Sequence, residues 1–427
     1  MKICIKNGLV INPATNLEQV TNIFIEDGHV VFIGEKEDVG YRVIDATNKW
    51  VIPGLVDLHV HLREPGFTHK EDIKSGCCAA ARGGVTTMCC MPNTEPVVDN
   101  ECIVEYIKIK AMRANGVNVI PIGAITKGQQ GQTITDISKM KDAGICAISE
   151  DGKTVMNSSI MKQAMLCAAE LDIPVFSHAE DMALIGGSMN EGDNAMLFGI
   201  KGIGREAEEI IIARDMILAR HTGSKLHICH VSTRGGAELI EFAKSLGVQV
   251  TAETAPHYFV LDDTALSDFD ANKKMNPPLR TKDDVEAIRD ALKNGIIDNI
   301  ATDHAPHQEE EKNVPIQHAP FGVIGLETSF AISYTYLVKT KFLSAIELVR
   351  KMSTIPASII NIDKGNIDVG KVADIAIIDV NQSYIIDNKD FVSKACNTPF
   401  NNMEVFGVVN YTLVNGKIIY ENFNSSN

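Results

Sequence analysis

Five stretches of this 427-residue chain set ionisable side chains directly after short apolar runs. The first, LVDLHVHLR, carries His59 and His61 two residues apart, a spacing that points both imidazoles to the same side of a strand. The other four lead to Glu150 and Asp151, to His178, to His230 and to Asp303. Taken singly, each has a plain structural explanation. A histidine after an apolar strand is commonly a hydrogen-bonded core residue, and an aspartate before a glycine, as at Asp151, is a common turn residue. Taken together, four histidines and two aspartates at strand ends read as metal ligands. Imidazole and carboxylate without thiolate suit zinc in an open catalytic site, and also manganese, cobalt or iron. Six ligands are too many for one catalytic zinc and match two ions about 3.5 to 4 Å apart. On that basis His59, His61 and a bridging Asp151 hold one ion, Asp151, His178 and His230 hold the other, and Asp303 stands beside the first. Paired cations lower the pKa of a shared water to about neutrality, which makes hydroxide available for hydrolysis.

Such convergence needs a scaffold that brings distant strand ends to one place. Apolar runs at 54–60, 86–90, 118–123, 145–149, 174–177, 225–230, 249–253 and 299–301 alternate with helix-like stretches such as 101–114, 159–171, 205–222 and 235–245. This is the pattern of βα units around a parallel sheet. Eight units closing on themselves make an α/β TIM barrel, whose strand C-termini share one face. An open doubly wound sheet is the alternative, and the clustering of ligands at strand ends favours closure. Residues 1–50 and 366–427 read instead as short strands punctuated by glycine, so the two chain ends are expected to form one small β-rich satellite domain around a barrel spanning 51–365.

Bulk composition narrows the function classes. Hydrophobic residues at 45% and charged residues at 22% are ordinary for a globular protein, and no apolar run is long enough for a bilayer, so no membrane role is expected. The net charge of -15 disfavours phosphate backbones, which argues against nucleic acid as a partner. The opening MKICIKNGLVINP lacks the succession of a secretory signal, and the cytoplasm is the expected compartment. The ten cysteines include adjacent pairs at Cys77/Cys78 and Cys89/Cys90 and no CxxC, and they read as reduced core residues.

An ordered series of motifs then carries a resemblance. PGLVDLH runs into HVHLREPG, followed by MPNT at 91–94, EDGKTV at 150–155, HVST at His230, TAPHY at Thr254, MNPPLR at Met275 and TDHAPH at Thr302. Together with the trailing GNIDVGKVADIAIID, this series resembles the class I dihydroorotases of the amidohydrolase superfamily over essentially the whole chain. The resemblance implies the reversible interconversion of N-carbamoyl-L-aspartate and (S)-dihydroorotate in pyrimidine synthesis, with two zinc ions per subunit. It puts metal ligands at His59, His61, Asp151, His178 and His230, and the catalytic carboxylate at Asp303. Substrate contacts fall on His61, Arg63, Asn93, Asn276 and His307, with Phe321 and Gly322 closing over the ring. A homodimer and an association with aspartate transcarbamoylase are also implied.

The chemistry of these residue types agrees. Arg63 can hold a carboxylate bidentately while Asn93 and Asn276 donate hydrogen bonds, and Asp303 can move a proton to the leaving nitrogen. Each substrate residue also has a local explanation: Arg63 pairing with Glu64, Asn93 turning after Pro92, Asn276 ordering a loop before Pro277, and His304 only supporting its neighbours. The Glu-rich 308–317 stretch resembles a lid. One departure is that ICAISE at 145–150 lacks the strand-four lysine that bridges the metals in many cyclic amidohydrolases, so Asp151 must bridge, with Lys153 the nearest lysine. Two alternatives remain at this stage: another cyclic amidohydrolase such as a hydantoinase or allantoinase, and a non-catalytic dihydroorotase-like partner protein.

Overall fold

In the computed structural model, which describes residues 2–114 and 116–422, eight short strands form the ring. They are Leu55–Val60, Val85–Cys90, Asn118–Pro121 continuing as Gly123–Ala124, Ile148–Ser149, Val175–Ser177, Leu226–Ile228, Val250–Thr254 and Asn299–Ile300. Each pairs in parallel with the next. The circle closes where His304, beyond the last strand, bridges Val60 of the first, and the His61 N–H donates to the His304 carbonyl at 2.8 Å. This is a closed barrel and excludes the open sheet.

The strands are apolar because both of their faces are buried. Val56, Leu58, Cys89, Ile122, Ala147, Phe176 and Cys229, in or next to the first six strands, form one core cluster, and a larger cluster joins the strands to the surrounding helices. The helices Ile73–Arg82, Glu101–Met112, Ile137–Ala143, Ser158–Glu170, Glu206–Thr222, Arg234–Ser245 and Lys282–Lys293 follow the first seven strands in turn. Their starts are chemically marked. Asp72, Asn100, Asn157 and Thr233 each accept a hydrogen bond from a backbone N–H of the first turn.

The two chain ends meet in a separate sheet of eight strands. Trp50–Pro53 pairs in parallel with Lys2–Asn12 on one side and antiparallel with Ile375–Ile385 on the other, joining the N-terminal strands to Glu404–Val414 and Lys417–Glu421. Ile3, Ile5, Ile23, Ile25, Ile375, Ile377 and Leu413 form its own core. All ten cysteines are free thiols, six of them buried. Among the described residues no helix is long and apolar enough to cross a membrane.

Candidate metal centre and active site

The six expected ligands all lie at the C-terminal rim of the barrel. His59 is in the first strand and His61 one residue past it; Asp151, His178, His230 and Asp303 lie one to three residues beyond the ends of the fourth, fifth, sixth and eighth strands. All are buried, from 0% exposed at His59 to 6% at His178 and Asp303. Three of the residues here adopt left-handed backbone, Arg63 at φ 59°, His230 at 36° and Asp303 at 47°. Such conformations cost on the order of 1–3 kcal/mol each and cluster where a side chain must be aimed.

The side chains fall into two groups that share Asp151: His59, His61 and Asp151, and Asp151, His178 and His230. His59 Nε2 is 3.3 Å and His178 Nδ1 3.4 Å from Asp151 Oδ1, and His61 Nε2 is 3.5 Å from Asp151 Oδ2. Four ligands held at about 2.0–2.2 Å around one tetrahedral zinc stand about 3.3–3.6 Å from one another, which these separations match; in the second group His230 Nε2 is 2.9 Å from His178 Nδ1 and 3.9 Å from Asp151 Oδ1. His59 Nε2 and Asp151 Oδ1 are buried without a hydrogen-bond partner among the described residues. Acceptor atoms crowded in this way repel one another unless a cation or proton lies between them. The donor set fits divalent ions.

The outer edges of the ligands are fixed. His59 Nδ1 meets Glu253 Oε1 at 2.7 Å, and the other Glu253 oxygen takes His227 Nε2 at 3.1 Å. His61 Nδ1 meets Asn93 Oδ1 at 2.9 Å, while Asn93 Nδ2 donates to Asp151 Oδ2 at 3.2 Å. His178 Nε2 lies 3.4 Å from Glu180 Oε2. These outer contacts set which imidazole nitrogen keeps its lone pair for an ion. Charge follows the same geometry. Burial opposes charging of His59, yet Asp151 and Asp303 outweigh it and hold its pKa well above the usual range. Burial would raise Asp303, but His59 and His61 pull it down to about 2. Asp151, buried among His59, His178 and His230, is held well below the ordinary carboxylate range. The carboxylates demand positive charge at this spot, and metal ions satisfy the same demand.

A cavity of about 240 Å³ opens over the two groups and is lined by His61, Arg63, Asn93, Asp151, His178, His230, Asn276, Asp303, His307, Phe321 and Gly322 among others. Every expected substrate residue therefore borders one space. A larger cavity of about 450 Å³ lies between barrel and satellite sheet, lined by Arg82, Glu327, Phe330, Tyr384 and Tyr420. None of the ligand groups borders it, so size does not locate the chemistry. Arg63 does not pair with Glu64, which instead engages Lys110, Tyr106 and the Ile73 N–H. Its guanidinium donates to the Pro306 carbonyl at 3.2 Å and lies 3.3 Å from His307 Nε2. His307 is kept neutral, its pKa lowered to about 3 by burial and by the charges of Arg63 and Lys70. Gly322, at φ 133°, lies so close to Ala305 that an added Cβ would sit 2.9 Å from that residue's Cβ and carbonyl oxygen. Lys153 donates to the Gln129 carbonyl at 3.1 Å rather than joining the ligands. His304 is a supporting residue, 3.4 Å from Glu71 and accepting from the Gly325 N–H.

Asn93 differs from expectation. Both ends of its amide are engaged by His61 and Asp151, which leaves one N–H for a ligand. Sequence reasoning also missed Glu253, Glu180 and Lys70. The signal for Glu253 was present, since it is the ionisable residue of the seventh strand; Lys70, 3.2 Å from His307 Nδ1, lies on a loop with no pattern to mark it.

Comparison with known proteins agrees with this architecture. Residues 48–236 match the dihydro-orotase-like family and residues 217–420 the amidohydrolase family. The chain is 50% identical to the dihydroorotase of Ruminiclostridium cellulolyticum over 418 residues, covering 97% of this chain and 98% of that one. It is 49% identical to the dihydroorotase of Acetivibrio thermocellus, with the same coverage. Among solved structures it superposes on an L-hydantoinase (dihydropyrimidinase) from Arthrobacter aurescens with a TM-score of 0.88, at 27% identity over 98% of this chain and 96% of that one. It superposes on a dihydropyrimidinase from Brevibacillus agri with a TM-score of 0.86, at 26% identity over 99% and 95%. The barrel is thus shared across cyclic amidohydrolases, while the higher full-length identity is to dihydroorotases. The chain belongs to the dihydroorotase family of the amidohydrolases and is a cyclic amide hydrolase.

Proposed function

We propose that this protein interconverts N-carbamoyl-L-aspartate and (S)-dihydroorotate with two zinc ions per subunit, as a cytoplasmic enzyme of pyrimidine synthesis. One observation carries the choice of substrate: the half-buried guanidinium of Arg63 borders the same 240 Å³ cavity as the two ligand groups, where a substrate carboxylate can be paired. A hydantoin or allantoin ring carries no carboxylate and has no use for that charge.

His59, His61 and Asp151 would hold one zinc and Asp151, His178 and His230 the other. When bound, the ions supply a water acidic enough to ionise near neutral pH and draw electron density from the ring carbonyl. Arg63, with neutral His307 beside it and the remaining Asn93 N–H, anchors the α-carboxylate. Asn276 fixes the ring, and the Phe321–Gly322 backbone closes over it. Asp303, ionised and 3.1 Å from His61 Nε2, accepts the proton of the attacking water. It then hands that proton to the ring nitrogen as the C–N bond breaks, and in the synthetic direction the transfers reverse. A homodimer and an association with aspartate transcarbamoylase complete this reading, on the family's behaviour alone.

The deciding experiment measures turnover of dihydroorotate, hydantoin and allantoin together with zinc content. Turnover of dihydroorotate alone at about two zinc per chain is the expected result. Preference for hydantoin or allantoin, or a purified protein without metal or activity, would reject it.

A further inference from the structure

Glu180, two residues beyond His178, has no part in the proposed reaction steps, yet it joins two of the groups that do. It is 7% exposed. One carboxylate oxygen lies 3.4 Å from His178 Nε2, and Asn276 Nδ2 donates to both oxygens at 3.0 Å. We propose that Glu180 is a positioning residue that decides which face of Asn276 the cavity sees and, through His178, keeps the second ligand group in register with it.

A carboxylate only accepts hydrogen bonds, so Asn276 must turn its amide nitrogen toward Glu180. Its Oδ1 is then left for the cavity, where no group among the described residues donates to it. Asn276 therefore reads an N–H of the bound molecule with its oxygen, the reverse of the donor role expected from sequence. The same carboxylate engages His178 at Nε2 and leaves Nδ1 turned to the other members of the second ligand group, 2.9 Å from His230 Nε2 and 3.4 Å from Asp151 Oδ1. One side chain thus links recognition of an N–H to ligand geometry. Because the inference rests on the dihydroorotase reading, that N–H belongs to the cyclic substrate.

The test compares wild type, Glu180→Gln, Glu180→Asp and Glu180→Ala on dihydroorotate and on dihydroorotate methylated at each ring nitrogen in turn. Zinc loss during timed dialysis against a chelator is followed in parallel. Wild type should disfavour one methylated substrate by about 100-fold in kcat/KM, because a site built around a hydrogen bond rejects a partner that cannot make it. Glu180→Gln, whose amide can offer Asn276 either atom, should raise KM about 10-fold with kcat changed less than about 3-fold. It should also lose most of that discrimination, and Glu180→Asp should recover part of it. Glu180→Ala should release zinc faster than wild type; if it does not fold, the Gln and Asp variants carry the comparison. Unchanged KM, discrimination and zinc release in a folded Gln variant would overturn the proposal. A wild type inactive on dihydroorotate would instead reject the substrate reading, while zinc release would still test the link to His178.

Discussion

Asp303 Oδ1 lies 3.1 Å from His61 Nε2 and 3.5 Å from His59 Nε2, close enough to the ligands to share their field while bordering the cavity. Replacing it by asparagine keeps the shape and removes the proposed base. Asp303→Asn should retain about two zinc per chain and lose about 10²–10⁴-fold in kcat, the range of a general acid–base group. Steady-state rates paired with metal analysis check this, and a near-normal rate would remove its proton-transfer role. Arg63→Met should raise KM about 100-fold, equivalent to the ~3 kcal/mol of a lost charge-assisted hydrogen bond, with a smaller effect on kcat. An unchanged KM would contradict the anchor. At this scale the sequence was most informative where a residue type has few uses: histidines and aspartates at strand ends are visible as a set. Glu253 carried a signal of position alone, as the acid of the seventh strand, and Glu180 carried none, because a carboxylate that orients a histidine looks in sequence like any other acid. Their partners, His59 and His178, lie 194 and 2 residues away.

The segment 308–322 shows what an element adds. The composition of 308–317 suggested a lid, and in the structure two buried lysines hold this stretch and the residues after it. Lys312 donates to the carbonyls of Lys274 and Pro320, and Lys274 donates to those of Ile316 and Ala319 at 2.7 Å and lies 4.4 Å from the Phe321 ring centre. Burial, with Lys274 adding to it, lowers Lys312 to about 7. A base whose folded pKa is depressed below its unfolded value contributes stability that is present above the unfolded value and is lost as pH falls through the folded one. Lys312→Met should therefore gain stability relative to wild type as pH is lowered from 10 to 6, by on the order of 3–5 kcal/mol at this one site. Thermal melts across that range decide it; a difference independent of pH would refute the depressed value. Element identity was legible because strands buried on both faces must be continuous apolar runs. Their lengths were not: the run at 145–149 pairs as a strand only over Ile148–Ser149, since hydrogen-bonding partners belong to the neighbouring strands and leave no mark in this one.

Over the whole molecule, the two ligand groups share a single carboxylate and sit inside the ring that closes the barrel. Removing the ions leaves Asp151 and Asp303 with protons alone to balance them. Dialysis against a chelator should abolish turnover and lower the melting temperature by several degrees, and zinc should restore both. A melting temperature indifferent to chelation would show that the ions contribute nothing to the fold. The barrel topology followed from counting strands, whereas the way the ends meet was legible only as a shared texture, because pairing between distant strands is a property of the pair. That pairing also constrains how the chain is made. Trp50–Pro53 finds its antiparallel neighbour only when Ile375–Ile385 has been synthesised, about 320 residues later, or roughly 16–65 s of translation at 5–20 residues per second. Until then the nascent protein carries Ile3, Ile5, Ile23 and Ile25 without the strands that complete their core. The ribosome-bound intermediate is for that reason the stage at which a chaperone has most to cover.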